Sequence, residues 1–415
     1  MAIEIRTSFI SGLSRDPAVT KDLDLPESVI ISDCTLREGE QTADVNFTPE
    51  EKLTIARALD RVGVRQIQIG YPGRSKADFD VYEKFRSEGP HATLDAVVLA
   101  YVDSWREQID AAADCGADVI DLVYVTSDLR IEHVYRATRD DVLRRVAQSI
   151  EYAKKRGLTV AYAPADTTRT DLRFLEKVIK VAVESGNDRF MIADTLGAAS
   201  PPAIRYLVKW FRERTDLPLS IHCHDDFGLA LANTVAGVEA GATVIDVAMN
   251  GLGDRAGNTV LDELATTLEI QYGIDTGIDL TQLNSLAQLV SEASGVPIPG
   301  NKAITGYNAF AHKLETHVQA VLAHASAFES LNPADVGNER RIAVGRYTGP
   351  IALKGRYAAM GIEITDDIVP EVLADVEASA LKVKRSLTDE ELREILRRAE
   401  MVVRRATPNP SKAHQ

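Results

Sequence analysis

Cysteine is scarce in this sequence: Cys34, Cys115 and Cys223 are the only three in 415 residues. So odd and sparse a count excludes a disulfide scaffold and fits a reducing compartment. No apolar run approaches the roughly 20 residues of a membrane-spanning helix. The opening stretch MAIEIRTSFISGLSRDP has no apolar core of a signal peptide. The expectation is therefore a cytoplasmic protein with no membrane partner. Basic residues are in deficit, with Lys+Arg at 47 against Asp+Glu at 62, a formal net charge of −15. That balance argues against a nucleic-acid binder and leaves room for a local basic pocket around a small anion.

The chain does hold ample material for a core, with 45% hydrophobic and 26% charged residues. From about residue 29 to 270 one rhythm repeats, a short β-branched run followed by an amphipathic stretch. Strands are expected at 29–32, 66–69, 94–99, 119–124, 159–162, 189–192, 219–222 and 243–247. Most are apolar on both faces, as parallel strands covered by helices must be. Helices separate them, for example 48–62 with Thr48 as N-cap before Pro49. Eight such units in about 240 residues have the size and alternation of a TIM (β/α)8 barrel, a doubly wound open sheet being the alternative. After about residue 275 the rhythm gives way to helical stretches at 280–294, 309–325, 355–360, 366–383 and 388–398. The expected division is an N-terminal extension 1–28, a catalytic barrel 29–275, a small, mainly helical C-terminal region 276–400 and a disordered tail 401–415.

Barrel active sites sit where strands end, and three expected strand ends are rich in polar groups. The first carries Asp33-Cys34-Thr35-Leu36-Arg37-Glu38-Gly39-Glu40-Gln41, otherwise a solvated loop. The seventh carries His222-Cys223-His224-Asp225-Asp226. Residues i and i+2 of a strand share a face, so His222 and His224 suit two imidazole ligands on one metal, a pair of core histidines being the plainer account. The eighth carries Asn250-Gly251-Leu252-Gly253-Asp254-Arg255-Ala256-Gly257-Asn258, whose glycine spacing is not the dinucleotide fingerprint. Strands one, seven and eight are neighbours in a closed barrel. A carboxylate, two histidines and a nearby amide converging there make a plausible divalent-metal site, with an arginine beside it to stabilise developing negative charge. Thr195 after the sixth strand and Arg130 after the fourth are candidate carboxylate binders.

DCTLREGEQ, IADTLG, HCHDD and NGLGDRAGN, in that order, resemble the signatures of the Claisen-condensing TIM-barrel metalloenzymes. Homocitrate synthase, 2-isopropylmalate synthase and citramalate synthase belong to that group, with hydroxymethylglutaryl-CoA lyase a more distant relative. The resemblance covers roughly residues 28–390, and 301–331 and 337–367 look like the C-terminal subdomain of homocitrate synthases. It implies an acyltransferase that condenses acetyl-CoA with a 2-oxo acid and releases CoA. Glu38, His222 and His224 would hold a divalent metal (Mn, Zn, Mg or Co), with Asn258 close by or as a further ligand. Arg37 would stabilise the alkoxide, Thr195 would hold the 2-oxo acid carboxylate, and Gln41, Gln68 and Arg130 would join the substrate site. His317, with Glu315 beside it, would act in proton transfer. A homodimer is implied, with C-terminal helices covering the partner's barrel.

Some positions depart from the family pattern. Gln68 and Ala165 stand where Glu is usual, Glu315-Thr316-His317 replaces Gly-Ile-His, and Phe328 replaces a Tyr. Each lost carboxylate makes the pocket less repulsive to an anion, by about 1 kcal/mol or more once water is excluded. The expected acceptor is therefore dicarboxylic or phosphonic: 2-oxoglutarate, oxaloacetate or phosphonopyruvate, the last giving a phosphonomethylmalate-synthase-like reaction. The alternatives are a hydroxymethylglutaryl-CoA-lyase-like cleavage enzyme and a catalytically silent metal-binding barrel.

Overall fold

The computed structural model describes residues 9–406 and divides them into two compact units, 11–298 and a C-terminal one beginning at residue 299. The first is a closed barrel of eight parallel strands in sequential order, β1 (Ile30–Asp33), β2 (Gln66–Gln68), β3 (Thr93–Leu99), β4 (Val119–Val125), β5 (Thr159–Ala165), β6 (Arg189–Asp194), β7 (Leu219–Cys223) and β8 (Val244–Val247). Closure is made by β1 against β8, with Ser32 opposite Asp246 and Asp33 opposite Val247. The open sheet is excluded and the expected barrel stands.

Each strand is followed by a helix that buries its apolar stripe. In α1 (Pro49–Val62) the Thr48 side chain accepts from the Glu51 backbone while Glu51 reaches back to the Thr48 N–H, a reciprocal cap that fixes the helix start. Gly63 ends it with φ 103, a left-handed conformation that a Cβ would strain. A helix over Leu283–Ser294, α2, packs against α1 and takes a hydrogen bond at its Ala287 carbonyl from Asn250. It belongs to the barrel unit, so that unit runs past residue 275.

Side-chain alternation along the strands sorts two populations. Ile67, Leu94, Ile120, Leu122, Phe190, Ile221 and Ile245 are fully buried apolar residues. Their alternates include Gln66, Gln68, Asp95, Asp121, Arg189 and Asp246, also buried; the first five are joined by hydrogen bonds and ion pairs within the barrel, and Asp246 bonds His222 on the neighbouring strand. Most of these strands are therefore not apolar on both faces.

The C-terminal unit has its own core of Val344, Leu353, Tyr357, Val372, Val376, Leu392 and Ile395. Its helices are α3 (Glu315–Ala323), α4 (Pro350–Ala359), α5 (Val369–Val383) and α6 (Asp389–Ala406). The helix expected over 309–325 starts only at Glu315, because Ala311–His312 pairs in parallel with Arg341–Ile342 instead. Helix α6 continues to Ala406, into the expected tail, and residues 407–415 lie outside the described ones, as do residues 1–8 of the expected extension. Among the described residues no helix is long and apolar enough to cross a membrane. The three cysteines are buried free thiols.

Candidate active site

The loop after β1 is built on Asp33. Its carboxylate accepts from the Thr35 N–H and hydroxyl, both at 2.9 Å, and the Thr35 hydroxyl accepts from the Met249 N–H at 2.8 Å. Burial pushes the Asp33 carboxyl up to about 7. These bonds tie the β1 loop to the β8 loop and present Arg37 and Glu38 inward, 8% and 4% exposed. Two strands away His222 projects from β7 and His224 directly follows its last residue, and Asn258 pairs with His224 by a backbone bridge. The β8 loop reaches this bridge only with glycine: at Gly257, φ 95, a Cβ would lie 1.9 Å from the Gly251 carbonyl oxygen.

Ligand atoms of Glu38, His222 and His224 lie within 4.8 Å of one another. The Nε2 atoms of the two imidazoles face each other at 3.2 Å. His222 Nδ1 bonds Asp246 Oδ2 at 3.0 Å, which assigns the proton to Nδ1 and aims the Nε2 lone pair into the site. Burial, reinforced by the neighbouring His222, pushes His224 down to about 3 and keeps its ring neutral. Burial acts to raise Glu38, but Arg37 and the two histidines outweigh it and hold the carboxyl below its ordinary value. The Asn258 amide nitrogen lies 3.0 Å from His222 Nε2, and its buried oxygen has no hydrogen-bond partner among the described residues. The His222 Nε2, a neutral His224 imidazole, an ionised carboxylate and a spare amide oxygen fit a divalent cation that takes nitrogen and oxygen ligands.

Arg37 is held from the other side. Its Nε and Nη2 both donate to Gln68 Oε1, at 2.9 and 2.6 Å, and its Nη1 pairs with Glu38. The Gln68 amide nitrogen donates in turn to Asp121 Oδ2 at 2.5 Å and Asp95 Oδ2 at 3.3 Å. Gln66 donates to Asp95 at 2.6 Å and accepts from Arg189 at 3.0 Å. Burial raises both carboxyls of the Asp95–Asp121 pair, Asp121 well above the usual range, so the pair retains a proton.

A cavity of about 230 Å³ opens at this end of the barrel. Arg37, Glu38, His222 and His224 line one side; Val97, Leu99, Val123, Ala163, Ala165, Met191 and Ala193 form an apolar wall; Tyr101, Asp121, Arg130 and Thr195 supply further polar groups. Gln41 donates to Glu38 Oε2 at 3.0 Å and to the Tyr71 hydroxyl at 3.1 Å. The Thr195 hydroxyl accepts from the Asp166 N–H at 2.8 Å. Arg130 reaches the Tyr135 hydroxyl at 3.4 Å and makes no ion pair within 4 Å among the described residues. Gln68 is fully buried and does not line the cavity.

Glu315 and His317 lie in the C-terminal unit. The Glu315 carboxylate accepts from the backbone N–H groups of Gly349, Ile351 and Ala352 at 3.0, 2.7 and 3.0 Å, and so caps the start of α4. His317 stacks on Phe328 with ring centroids 4.0 Å apart. The sequence reading missed Asp246, Asp121, Asp95, Gln66, Arg189 and Tyr71. A signal for the three aspartates is there: LDAVVL, VIDLVYV and VIDV each carry one aspartate in an otherwise apolar strand, at an inward-facing step of the alternation.

Residues 28–290 match the family model described as HMGL-like, and residues 304–384 match the homocitrate synthase post-HMGL domain-like model. The chain is 44% identical over 377 residues to homocitrate synthase AksA of Methanopyrus kandleri, covering 91% of this chain and 94% of that protein. It is 38% identical to the 2-isopropylmalate synthase of Methanocaldococcus jannaschii, covering 91% of this chain and 72% of that protein. In fold it is similar to the Bacillus subtilis HMG-CoA lyase, with a TM-score of 0.60 at 24% identity over 66% of this chain and 96% of that one. With both family models matched in order and the relatives aligned over nine-tenths of its length, the chain belongs to the HMGL-like family, in its homocitrate and 2-isopropylmalate synthase branch.

Proposed function

We propose that the protein condenses acetyl-CoA with a 2-oxo acid and releases CoA. The observation that carries this is the convergence of Glu38, His222, His224 and Arg37 on a cavity that also holds Thr195 and Arg130. Glu38, His222 and His224 would hold the divalent cation, with Asn258 beside them, and that cation supplies Lewis-acid polarisation of the acceptor's keto oxygen. The Thr195 hydroxyl binds the adjoining carboxylate. The acetyl methyl group loses a proton and its carbon forms the new bond to the keto carbon. The keto oxygen takes up the electron pair as alkoxide, and Arg37 stabilises that charge. Protonation of the alkoxide and hydrolysis of the thioester then give a 2-hydroxy acid and free CoA thiol. In a homodimer the partner subunit's His317 would serve the proton steps, its ring held on the Phe328 face, while Glu315 maintains the adjoining helix start.

The acceptor we infer carries a second acidic group. Arg130 is a cation in the cavity lining that makes no ion pair within 4 Å among the described residues, its charge felt only at longer range by Asp166, and Ala165 keeps part of the same lining small and uncharged. A dicarboxylic 2-oxo acid, 2-oxoglutarate or oxaloacetate, or a phosphonic one, phosphonopyruvate, would place that group on Arg130. The test is thiol release from acetyl-CoA by metal-replete protein with these acids, pyruvate and 2-oxoisovalerate. Chelator-sensitive release with a diacid is expected. Release with 2-oxoisovalerate alone would overturn the acceptor assignment, and no release with any acid would overturn the reaction.

A further inference from the structure

We propose that Lys52, which does not line the cavity, is a positioning residue for Glu38: it fixes the β1 loop and the end of β2 to one buried charge, and those two segments carry the brace that turns a single Glu38 oxygen toward the cation. The inference rests on the Glu38–His222–His224 cation site proposed above. Lys52 stands at the start of α1, three residues past Pro49, and is 3% exposed. Its ammonium meets Glu40 Oε2 at 2.8 Å and Asp78 Oδ1 at 2.7 Å, and donates to the Ile69 carbonyl at 3.3 Å. Stability does not account for it there. A cation near a helix N-terminus opposes the helix dipole, and an ion pair taken out of water gains little net stability. What the triad supplies is a fixed spacing between three segments of chain.

Each arm of the triad continues to the site. On the β1 side Glu40 also accepts from the Phe47 N–H at 2.9 Å through Oε1, which closes the loop that carries Gln41. On the β2 side Asp78 Oδ2 accepts from the Tyr71 N–H at 3.0 Å, and the Ser75 hydroxyl accepts from the Asp78 N–H at 3.1 Å to start the helix Lys76–Ser87. Lys52 thus holds Gln41 and Tyr71 at a common anchor, and the two meet beside Glu38. The Gln41 amide nitrogen has two hydrogens to give. One goes to the Tyr71 hydroxyl at 3.1 Å and the other to Glu38 Oε2 at 3.0 Å. Arg37 Nη1 pairs with the same Oε2. Oε1 is the oxygen that faces His224 Nε2, at 3.8 Å. With Oε2 held by two donors, Glu38 offers the cation one oxygen in a set direction. Partners that orient a ligand in this way govern how tightly the ligand set binds.

The test is titration of the metal-free full chain with Mn2+, with the thermal midpoint of the metal-free protein read alongside. His224→Ala, which should abolish the binding, defines the site. Lys52→Met is expected to raise the Mn2+ Kd by at least about 10-fold, the scale of a lost ligand-orienting partner. Tyr71→Phe removes only the far end of the relay and should raise it about 3-fold or more, but less than Lys52→Met. Both act on Glu38 through Gln41, so the Lys52→Met/Tyr71→Phe protein should bind Mn2+ within about twofold of Lys52→Met alone. A folded Lys52→Met with a Kd within about twofold of the parent would overturn the assignment, the triad then serving the fold alone. Effects of the two substitutions that simply multiply would overturn it too, since the route would not run through Tyr71. Should Lys52→Met fail to fold, Glu40→Gln decides, because it cuts one arm and keeps an oxygen for the Phe47 N–H. A Kd raised about 3-fold or more then upholds the assignment, and an unchanged one overturns it. A parent with no Mn2+ binding sensitive to His224→Ala overturns the cation site and this assignment with it. A parent that binds Mn2+ there and releases no thiol overturns the condensing reaction and leaves this assignment standing.

Discussion

The two histidines of β7 differ in what holds them. His222 is oriented by Asp246 through Nδ1, whereas His224 Nδ1 has no hydrogen-bond partner among the described residues and its ring is kept neutral by burial. Either His222→Ala or His224→Ala should lose bound metal and thiol release together. An active variant with full metal content would refute the ligand set. The depressed His224 value has a signed consequence. Between about 6.5 and about 3 the unfolded chain binds a proton at this ring that the folded protein does not. The group therefore costs stability increasingly as pH falls through that window. In metal-free protein its ring resonances should stay in the neutral position down to pH 4, and protonation near 6.5 would contradict the packing described. Arg37→Ala should keep the metal and lose at least about 100-fold in kcat, the scale of one oxyanion donor. A near-normal rate would make Arg37 structural. Glu38, His222, His224 and Arg37 were legible because they cluster at strand ends. Asp246 was not, since one aspartate in VIDV gives no hint that its partner is an imidazole on the neighbouring strand. Gln68 was visible as a departure from the family pattern, but only the structure shows that it faces Arg37 rather than the cavity.

Secondary-structure elements were readable where their signals are local. Thr48 was recognisable in the sequence as the N-cap before Pro49, and the structure adds its reciprocal bonds with Glu51, three residues on. Helix α4 is the opposite case. Its N-cap, Gly349, has no side chain to offer, and the cap comes from Glu315, 34 residues earlier at the Gly349 N–H. No local pattern announces such a partner, and the expected start at 355 was accordingly late. The same pair of residues separates structure from chemistry. Glu315→Ala leaves three backbone donors at the α4 start without their acceptor and should destabilise the chain by about 1–2 kcal/mol. His317→Ala removes a ring stacked on half-exposed Phe328 and should change stability by less than about 1 kcal/mol while abolishing most of the turnover. Denaturant melts paired with thiol release separate the two. If Glu315→Ala kept full stability and lost activity instead, its carboxylate would belong to the proton steps and not to the cap.

At the scale of the whole molecule, eight apolar runs at regular spacing were enough to expect a barrel, because parallel strands joined by helices have few ways to bury both faces. What alternation alone did not give was the polar interior, since a strand read as a string of apolar residues hides one inward aspartate among them. That interior is where chain-distant elements meet: Glu38 follows β1 while His222 and His224 lie at the end of β7. Unfolding the barrel separates these ligands, so a cation bound among them stabilises the folded state by mass action. At a free concentration 100-fold above Kd the gain is about 2.7 kcal/mol, which raises the thermal midpoint of a domain this large by several degrees. Chelation should remove that increment. His224→Ala should show a low midpoint that added metal does not raise, whereas His317→Ala, in the other unit, should keep the full response. Equal midpoints for the parent protein with metal and with chelator would mean that Glu38, His222 and His224 do not hold a cation. The conserved increment in His317→Ala would place the site in the barrel without reference to activity.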